Sequence, residues 1–285
     1  MKTLLCCIGR LENQYIREYV EYYKELGVTN ICLYDNNYNG EERFEDVIGD
    51  YIDSGFVILK DKRNEKGCQM RVYMECYKEY KNSYDWIMFF DCDEFLTFTD
   101  PETKNLEQAL SDSRFSCFDM IHVNWMIYTD NGMIYNNHEP LLKRFTVRKE
   151  PLNIMIPHTH YQLNGFCKPI IKGGLSEVVF KNPHSPSNIS SCCNNIGKPV
   201  EGDSRTCECN FDNMYLRHFR SKTLEEFLIK AKRCYPDKIY NFIQQQDAYK
   251  YMLQTVFFTD NEPTIEKLNY VKEITGLDLF KYYKK

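Results

Sequence analysis

The sequence predicts an α/β fold whose centre is a Rossmann-like, mostly parallel sheet flanked by helices. Over the first hundred residues, short apolar runs of strand length alternate with segments that have helical periodicity. Polar or charged residues follow these runs, and helical patterning predominates from Thr223 onward. Because strands that alternate with helices pair in parallel through right-handed crossovers, the pattern indicates one large α/β domain with a C-terminal helical segment.

Helices and strands can be assigned in order along the first hundred residues. The helix assignments rest on apolar residues three or four positions apart, as Ile16, Val20 and Tyr23 are before Gly27 ends their segment. The strand assignments rest on short apolar runs that end in polar residues. The predicted strands are 3–8, 30–34, 56–59 and 86–90, and the predicted helices are 12–26, 42–53 and 67–81.

The chain is less regular after residue 115. Short strand-like runs between turns predict a second part of the sheet at about 115–180. Residues 182–212, rich in Asn, Ser, Pro, Gly and Cys, predict a mobile polar loop because they contain little apolar material for a core. Thr223 and Glu226 have the spacing of a capping box, which predicts that a helix begins there. The predicted domains are 1–222 and a helical segment, 223–285, packed on it.

Composition argues against two classes of protein. The net charge of −5 is unlike that of a general nucleic-acid binder, for which a basic face is expected. No run approaches eighteen apolar residues, so no transmembrane helix is predicted, and the apolar stretch that stops at Ile8 is too short for a signal peptide. We therefore expect a cytoplasmic protein. The aromatic and basic end at 280–285 would allow peripheral contact with the inner face of the membrane.

The thirteen cysteines are interpreted as reduced residues. Several lie inside apolar runs, where a thiol packs as a small hydrophobic side chain. Cys192 and Cys193, and Cys207 with Cys209, instead lie in the predicted polar loop. Their spacing matches no common zinc framework, so a structural zinc site there is a minor alternative.

The carboxyl ends of the predicted strands carry the most informative polar residues. Arg10, Asp35 and the pair Asp91 and Asp93 each follow one of these strands. Ligands of open parallel sheets bind beyond the carboxyl ends of the strands, so these residues are expected to share one edge. Side chains alternate along an extended chain, and Asp91 and Asp93 would therefore point the same way and share one divalent cation. That arrangement suits an enzyme that handles a diphosphate.

Several stretches, in order along the chain, resemble metal-dependent glycosyltransferases of the GT-A fold. The closest likeness is to the branch related to glycosyltransferase families 2 and 92, and it spans roughly residues 3–235. The chain departs from the family pattern at Arg217, where Asn is more common, and at Thr223, where Ser is more common. The matching stretches are 12–19, 27–30, 34–37, 86–95, 124–125, 143–145 and 216–227.

The resemblance implies an inverting glycosyltransferase that moves a hexose from a UDP-sugar to a glycan or lipid-linked glycan in surface polysaccharide synthesis. Residues 1–100 would then bind the nucleotide, and residues 115–222 would bind the acceptor. Two alternatives stay open: a metal-dependent nucleotidyl- or phosphotransferase, and a non-catalytic carbohydrate-binding protein with the same fold. The lack of a glycine-rich phosphate loop weighs against the first, and the intact Asp91, Asp93 and His218 weigh against the second.

The resemblance also implies a metal site. Mn²⁺ or Mg²⁺ would be bound by Asp93, by Asp91 directly or through water, and by His218 as a third ligand. The division of labour between the two aspartates stays open, because in the family the first often touches the ribose. Imidazole is a better ligand for Mn²⁺ than for Mg²⁺, so His218 favours manganese.

Candidates for the nucleotide and for the acceptor follow from the same resemblance. Arg10 and Asp35 would contact the nucleotide, Asp35 by accepting from uracil or ribose, and Arg71 and Lys222 would meet phosphate oxygens. For each, a solvated surface charge is the alternative. An inverting transferase needs a base beside the acceptor hydroxyl, and the sequence does not identify it. The candidates on the acceptor side are Glu177, Asp130, Asp203 and His184, with His158 and His160, and Trp125 to stack on a sugar.

Overall fold

A β-sheet is the main element of the first hundred residues and of several later segments. The computed structural model describes residues 1–150, 155–156, 161–201, 205–232, 247 and 249–283. Among these residues nine strands form one sheet, and two further strands form a separate antiparallel pair. The strands are β1 (Thr3–Gly9), β2 (Asn30–Asp35), β3 (Val57–Asp61), β4 (Trp86–Phe89), β5 (Glu94–Phe98), β6 (Met120–Ile127), β7 (Cys167–Lys172), β8 (Phe180–Asn182), β9 (Ser185–Pro186), β10 (Cys192–Asn194) and β11 (Met214–His218).

The order of the strands divides the sheet into two halves. The order is β3-β2-β1-β4-β7-β6-β11-β5, with β10 beside β6. The strands β3, β2, β1 and β4 run parallel and are called the parallel half. The other strands of this sheet, β7, β6, β11, β5 and β10, are called the antiparallel half. Strand β7 runs antiparallel to both β4 and β6, and β11 runs antiparallel to β5. The predicted α/β class is confirmed, with the crossover helices and most of the parallel pairing in the first half.

The helices of the parallel half follow the sequence prediction closely. Each of the three predicted helices begins and ends within three residues of the observed bounds. None of the described helices is both long enough and apolar enough to cross a membrane. The helices are α1 (Asn13–Glu25), α2 (Glu45–Asp53), α3 (Gln69–Tyr80), α4 (Leu106–Leu110), α5 (Leu141–Arg144) and α6 (Leu224–Lys232), followed by Leu253–Phe257 (a π-helical turn), Phe258–Asp260, Ile265–Thr275 and Phe280–Tyr283.

Helix α3 packs its apolar face on the parallel half. Val72, Cys76 and Tyr77 are fully or almost fully buried in one cluster with Leu4 of β1 and Phe89 of β4. Complete burial of an aliphatic or aromatic side chain contributes about 1.5–3 kcal/mol to stability, so this face fixes α3 on the sheet. The fixed helix in turn presents its first turn to the carboxyl end of β4.

The described residues of the predicted loop, 182–201 and 205–212, include a strand and specific side-chain contacts. Cys192 and Cys193 lie in β10, which pairs in parallel with β6 and buries both side chains. The side-chain amide of Asn195 donates to the backbone carbonyl of Asp212 at 2.7 Å. The Asn195 side chain therefore stabilises an irregular backbone here. In the sequence, the abundance of asparagine indicates only a loop.

The cysteines of this region are free thiols, like the other described cysteines. The Cys207 thiol lies 3.5 Å from Asn124 Oδ1, and the Cys209 thiol lies 3.1 Å from Gln162 Oε1. No group of three or more His, Cys, Asp or Glu side chains in the described part of the chain is arranged to hold a metal ion. These cysteines thus contact polar side chains.

The described chain divides into two compact units, and the second contains the predicted capping box. Thr223 Oγ1 accepts from the Glu226 backbone N–H at 3.3 Å, and Glu226 Oε2 accepts from the Thr223 backbone N–H at 3.1 Å. The helix prediction at this position is confirmed, whereas the domain boundary at residue 222 stays a prediction. The first unit contains Met1–Met126 and Tyr161–His218, and the second contains Ile127–Pro151 and Phe219–Lys285.

Candidate active site

The carboxyl ends of the parallel strands lie in line at one edge of the sheet. Gly9 at the end of β1 pairs with Asp35 at the end of β2, and Asp35 pairs with Asp61 at the end of β3. Strand β4 pairs with β1 up to Phe89, so the chain reaches Asp91 at the same edge. The parallel register therefore brings these polar residues to one side of the first unit.

A pocket of about 580 Å³ lies beyond β2 and β3. Asp35 on its wall is almost fully buried, and its Oδ2 lies 2.5 Å from Arg63 Nη2. Asp35 Oδ1 accepts from the backbone N–H and the side-chain amide of Asn37, at 2.9 and 2.7 Å. These contacts fix the orientation of the carboxylate. The charged residues that line the pocket are Asp35, Glu41, Arg43, Glu45, Asp61 and Arg63.

Arg10 is tied to the wall of this pocket. Its guanidinium makes a two-pronged ion pair with Glu41, at 2.9 and 2.6 Å, and lies 3.8 Å from the centre of the Tyr38 ring. The hydrogen bonds to Glu41 raise the pKa of Arg10 above its ordinary value. Arg10 thus has its predicted location at the strand end, and its charge is matched by a carboxylate that faces the pocket.

Arg71 and Lys222 are the predicted phosphate contacts. Arg71 is half exposed on α3 and pairs with Glu65 and, at 3.5 Å, with Glu75. It does not line the pocket. Lys222 is a buried residue of the second unit whose backbone has a left-handed φ of 53°. The structure does not bring Arg71 to the pocket residues.

Asp91 accepts hydrogen bonds from α3 and forms an ion pair with Lys168 of β7. Its Oδ1 accepts from Gln69 Nε2 at 3.0 Å and from the Tyr73 hydroxyl at 3.2 Å. Its Oδ2 lies 2.8 Å from the ammonium of Lys168. Burial acts to raise the pKa of Asp91, but the Lys168 ammonium opposes it, and the pKa lies below its ordinary value. Asp91 is therefore an ionised carboxylate at neutral pH.

Lys168 and Glu94 form a buried pair beneath this turn. The Lys168 ammonium is 3.7 Å from Glu94 Oε2, which also accepts from the Asp91 backbone N–H at 2.9 Å. Burial raises the pKa of Glu94 well above its ordinary value. Burial alone would lower the pKa of Lys168, but Asp91 and Glu94 outweigh it and the pKa is raised. A charged lysine therefore lies among the carboxylates.

Asp93 and His218 meet because β11 runs antiparallel to β5, with His218 opposite Glu94. The imidazole Nε2 is 3.4 Å from Asp93 Oδ1. Adjacent ligands of an octahedral cation with bonds of about 2.1 Å lie about 3 Å apart, so this nitrogen and oxygen are close to the spacing of a shared cation. The pair fits a divalent cation that accepts carboxylate and imidazole together.

The two aspartates do not follow the alternation of an extended strand. Residues 92–93 form a turn between β4 and β5. The sequence predicts a common direction for Asp91 and Asp93 from the alternation of side chains along a strand. That premise is wrong here, because side chains alternate in an extended chain and not in a turn. Asp91 contacts Lys168, whereas Asp93 approaches His218.

Trp125 on β6 lies beside His218 and His184. The Trp125 ring centre is 4.2 Å from that of His218 and 5.0 Å from that of His184, and it stacks on Phe166 at 5.4 Å. Its indole N–H is buried and has no hydrogen-bond partner within the described ranges. A buried donor without a partner is a position where a bound ligand could accept a hydrogen bond.

His184 is neutral and held in one tautomer. Its Nδ1 lies 3.0 Å from the Cys167 carbonyl oxygen, so Nδ1 carries the hydrogen and Nε2 carries a lone pair. Burial, reinforced by the nearby Lys168 charge, lowers the pKa of His184 to about 3. His184 can accept a hydrogen bond at neutral pH, but such a low pKa makes it a weak base.

Of the remaining candidates for the base, Glu177 is not brought to Asp91. Glu177 follows Lys172, which pairs with Trp86 at the opposite end of β4 from Asp91. Asp130 is buried in the second unit, 2.5 Å from the Lys267 ammonium. Asp203, His158 and His160 lie outside the described residues.

Three residues of this region were missed when the sequence was read: Lys168, Gln69 and Arg63. Lys168 lies inside an apolar run, and a charged residue within a predicted buried strand was the signal that could have found it. Arg63 follows the third strand closely, so the convergence of strand ends could have included it. Gln69 has no sequence signal beyond its place in the first turn of α3.

Comparison with known families identifies the chain. The sequence profile of glycosyltransferase family 92 matches residues 2–258. The chain belongs to glycosyltransferase family 92. The family predicted from the sequence motifs is thereby confirmed.

Curated relatives of this family 92 chain match it over part of their length. A glycosyltransferase family 92 protein of Ricinus communis is 25% identical over 181 residues, which cover 57% of this chain and 32% of the relative. A galactan β-1,4-galactosyltransferase of Arabidopsis thaliana is 28% identical over 134 residues, which cover 44% of this chain and 26% of the relative. The matched segments thus span about a third or less of these relatives.

Solved glycosyltransferase structures show a distant likeness. S. aureus TarS 1–349 gives a TM-score of 0.40 at 10% identity, over 100% of this chain and 76% of that chain. The mannosyltransferase PcManGT of Pyrobaculum calidifontis, in complex with GDP-Man and Mn²⁺, gives 0.33 at 11% identity, over 43% and 35%. GalNAc-T7 with UDP, GalNAc and Mn²⁺ gives 0.31 at 12% identity, over 46% and 24%.

Proposed function

We propose that this family 92 chain is a metal-dependent glycosyltransferase that transfers a hexose, with inversion, from a UDP-sugar to a glycan or lipid-linked glycan. The observation that carries the proposal is the approach of Asp93 to His218, at the sheet edge that also carries the pocket beside Asp35. A cation site and a nucleotide pocket at the carboxyl ends of strands are what transfer from a nucleotide diphosphate requires.

Asp93 and His218 would hold Mn²⁺, or Mg²⁺ as the second choice. Their donor atoms, 3.4 Å apart, combine carboxylate oxygen with imidazole nitrogen, which favours Mn²⁺. When bound, the cation would neutralise the charge that develops on the leaving diphosphate. Two protein ligands leave coordination positions for phosphate oxygens and water. Asp91 completes the acidic edge beside this pair.

The pocket beyond β2 and β3 would receive the nucleoside. A carboxylate has about four acceptor positions, so Asp35 can accept from uracil or ribose in addition to its present donors. Arg10, through Glu41, would hold one wall of the pocket in place. Arg71 and Lys222 stay proposed phosphate contacts. Arg71 is the weaker of the two candidates, because its charge is already paired with Glu65 and Glu75.

The acceptor sugar would lie against Trp125. Phe166 stacks on the indole and His218 packs close to it, so the unpartnered indole N–H is the part suited to a sugar hydroxyl. His184, neutral with a lone pair on Nε2, would accept from a second hydroxyl and so orient the acceptor. Its low pKa suits orientation better than proton removal. Asp130 and Asp203 stay proposed candidates for the base, and Glu177 is the weakest candidate because it follows the opposite end of β4 from Asp91.

A lipid-linked acceptor would connect this reaction with surface polysaccharide synthesis at the cytoplasmic face of a membrane. Such an acceptor presents its sugar close to the bilayer surface. The short helix Phe280–Tyr283 carries aromatic rings and a lysine, a combination that suits peripheral contact with anionic lipid. Cytoplasmic location and membrane contact are parts of the same proposal.

Release of UDP tests the donor half of the proposal. The purified chain is incubated with single UDP-sugars and Mn²⁺, with and without EDTA. We expect slow release from one UDP-sugar that stops when EDTA is added, because donor cleavage by water requires the same cation as transfer. Release that continues in EDTA would contradict metal dependence. Transfer of phosphate or nucleotide in place of sugar would favour the phosphotransferase alternative.

Asp93→Asn tests where the cation binds. We expect UDP release to fall by at least about 100-fold, since the loss of one preorganised electrostatic contact costs about 10²–10³ in rate. Asp53→Asn, at the exposed end of α2, is the matched control and should react normally. Circular dichroism checks that both variants fold. Equal rates for Asp93→Asn and the unchanged chain would mean that the cation binds elsewhere.

A further inference from the structure

Asn37 is a fully buried asparagine two residues after Asp35 of the pocket wall. It has no exposed surface and is not one of the residues that line the pocket. Its side-chain Nδ2 donates to Asp35 Oδ1 at 2.7 Å, and its backbone N–H donates to the same oxygen at 2.9 Å. Asn37 can therefore influence a ligand in the pocket only through the residues that it holds.

The same asparagine contacts the segments that follow two neighbouring strands. Its side-chain Oδ1 accepts from the Leu11 backbone N–H, beyond β1, at 2.8 Å. Its backbone carbonyl oxygen accepts from the Asn64 backbone N–H, beyond β3, at 3.1 Å. Because β2 lies between β1 and β3 in the sheet, a residue that follows β2 can reach both segments. Asn37 thus connects the ends of three parallel strands.

The contact with Leu11 holds an unusual backbone conformation. Leu11 has a φ of 56°, in the left-handed region that residues other than glycine rarely adopt. Such conformations persist where the surrounding structure fixes them, and they cluster at ligand-binding segments. Arg10, the preceding residue, pairs with Glu41 of the pocket wall. The Asn37 acceptor therefore fixes the turn that presents Arg10 to the pocket.

An amide suits this position because it donates and accepts at the same time. Leu11 offers a backbone donor, whereas Asp35 offers a carboxylate acceptor. A carboxylate in place of the amide would lose the donor and repel Asp35, and a methyl group would lose both contacts.

We infer that Asn37 is a positioning residue that holds Asp35 and the Arg10 segment together, and so forms the nucleotide pocket before a ligand binds. The inference rests on the proposed function, because it takes the ligand of this pocket to be a nucleotide. A pocket whose walls are already fixed loses less freedom when the ligand binds, and its affinity is correspondingly higher.

Calorimetric titration of UDP into the chain in Mn²⁺ tests this role. Asn37→Ala should weaken UDP binding by about tenfold or more, because Asp35 loses a charge-assisted hydrogen bond and Leu11 loses the acceptor that orders its turn. Urea unfolding of the same variant measures its stability separately.

Asn30→Ala is the matched control, because Asn30 lies at the other end of β2 and its amide has a similar pair of contacts. Its Nδ2 donates to the Gly55 carbonyl oxygen at 2.9 Å, and its Oδ1 accepts from the Tyr84 hydroxyl at 2.9 Å. This variant should lower stability and leave the affinity for UDP unchanged. Equal losses of affinity in Asn30→Ala and Asn37→Ala would overturn the inference.

Two double-mutant cycles test the connection between the strand ends. In the Asn37→Ala background, the effects of Asp35→Asn and of Arg10→Ala on UDP affinity should each shrink by about threefold or more, because both residues depend on the Asn37 contacts. Multiplicative effects in either cycle would overturn the inference.

Asn37→Asp is the second variant, used where Asn37→Ala does not fold. It keeps an acceptor for Leu11 but places a second carboxylate beside Asp35. Neighbouring carboxylates share a proton as the pH falls, and the protonated group then donates as the amide does. Arg63, which lies 2.5 Å from Asp35 Oδ2, stays charged throughout.

The affinity of Asn37→Asp for UDP, relative to that of the unchanged chain, should therefore be about tenfold lower at about pH 7.5 and recover by at least about threefold at about pH 5. A deficit that does not depend on pH would overturn the inference, because a loss of stability alone would produce it.

Failure of the unchanged chain to bind UDP, or an unchanged affinity in Asp35→Asn, would overturn the proposed nucleotide pocket itself. That result is distinct from UDP binding that needs Asp35 and not Asn37, which overturns the role of Asn37 alone.

Discussion

The parallel and antiparallel halves of the sheet build their parts of the candidate site from different kinds of contact. At the end of the parallel half, charged side chains pair between segments that follow neighbouring strands, as Asp35 does with Arg63, 28 positions further along the chain. The antiparallel half brings side chains from remote segments, Lys168 to Asp91 and His218 to Asp93. Pairing between neighbouring strand ends supports a solvent-facing pocket, whereas pairing between segments far apart in the chain supports a buried charge cluster.

The two halves also differ in access to water. The Arg63 side chain keeps 19% of its surface exposed, whereas that of Lys168 keeps none. Coulombic interactions are weakened by nearby water and strengthened in the dry interior. The parallel half is therefore suited to a ligand that exchanges with solvent. The antiparallel half is suited to a fixed electrostatic field, and changes there should have the larger effects.

Acid should destabilise the protein through the antiparallel half. The first ninety residues contain no histidine, whereas His122 on β6 is almost fully buried. Burial lowers the pKa of His122 to about 4. An unfolded histidine keeps a pKa near 6.5, so the unfolded chain binds the proton first as the pH falls from about 6.5 to 4. We expect His122 to remove up to about 3 kcal/mol of the free energy of unfolding over this range.

Urea unfolding at several pH values between 7 and 4 measures this loss. His122→Asn should reduce the dependence of unfolding free energy on pH below 6.5. His138→Asn, at an exposed position, is the matched control and should keep the full dependence. Identical slopes for His122→Asn and the unchanged chain would show that the acid sensitivity arises elsewhere.

The pocket of the parallel half should respond more weakly. Asp35→Asn removes a charged acceptor from the pocket wall and leaves a neutral amide of similar shape. We expect the affinity for UDP to fall about tenfold, the size of one charge-assisted hydrogen bond. Isothermal titration calorimetry in Mn²⁺ measures the change, with Asp53→Asn as control. An unchanged affinity of Asp35→Asn for UDP would show that the nucleoside does not bind in this pocket.

Arg71→Ala should have the smallest effect. Its guanidinium is half exposed and pairs with Glu65 and Glu75 in solvent, where such pairs contribute less than about 1 kcal/mol. We expect thermal stability to change little and the UDP affinity to change by less than about threefold. A larger loss of UDP affinity with unchanged stability would show that Arg71 contacts a phosphate and that the binding site reaches α3.

The same division between the halves explains what the sequence could predict. The strands and helices of the parallel half can be predicted from nearby residues. Each strand is a short apolar run, and each helix has apolar residues three or four positions apart. Asp91 and Asp93 are predicted from their place after an apolar strand, and His218 from a motif that resembles a known family. The family is confirmed, and the roles of these residues stay proposals.

The roles of Lys168 and Trp125 depend on distant partners and were harder to predict. Nothing in the residues next to Lys168 indicates that α3 and the β4–β5 turn surround it. The common direction of Asp91 and Asp93 is predicted from an extended strand, and the turn at 92–93 removes that premise. Side-chain direction in a turn depends on backbone angles that a single sequence does not specify.

The pairing of β11 with β5 has a consequence for the order of folding. His218 closes the first unit at its C-terminal end, and β11 leaves the ribosome after every other strand of the sheet. Closure of a long loop carries an entropic cost, so contacts between distant strands form slowly. A nascent chain would display the Asp91–Asp93 turn without its histidine until this last strand docks. Gain of cation affinity during refolding would therefore mark completion of the first unit.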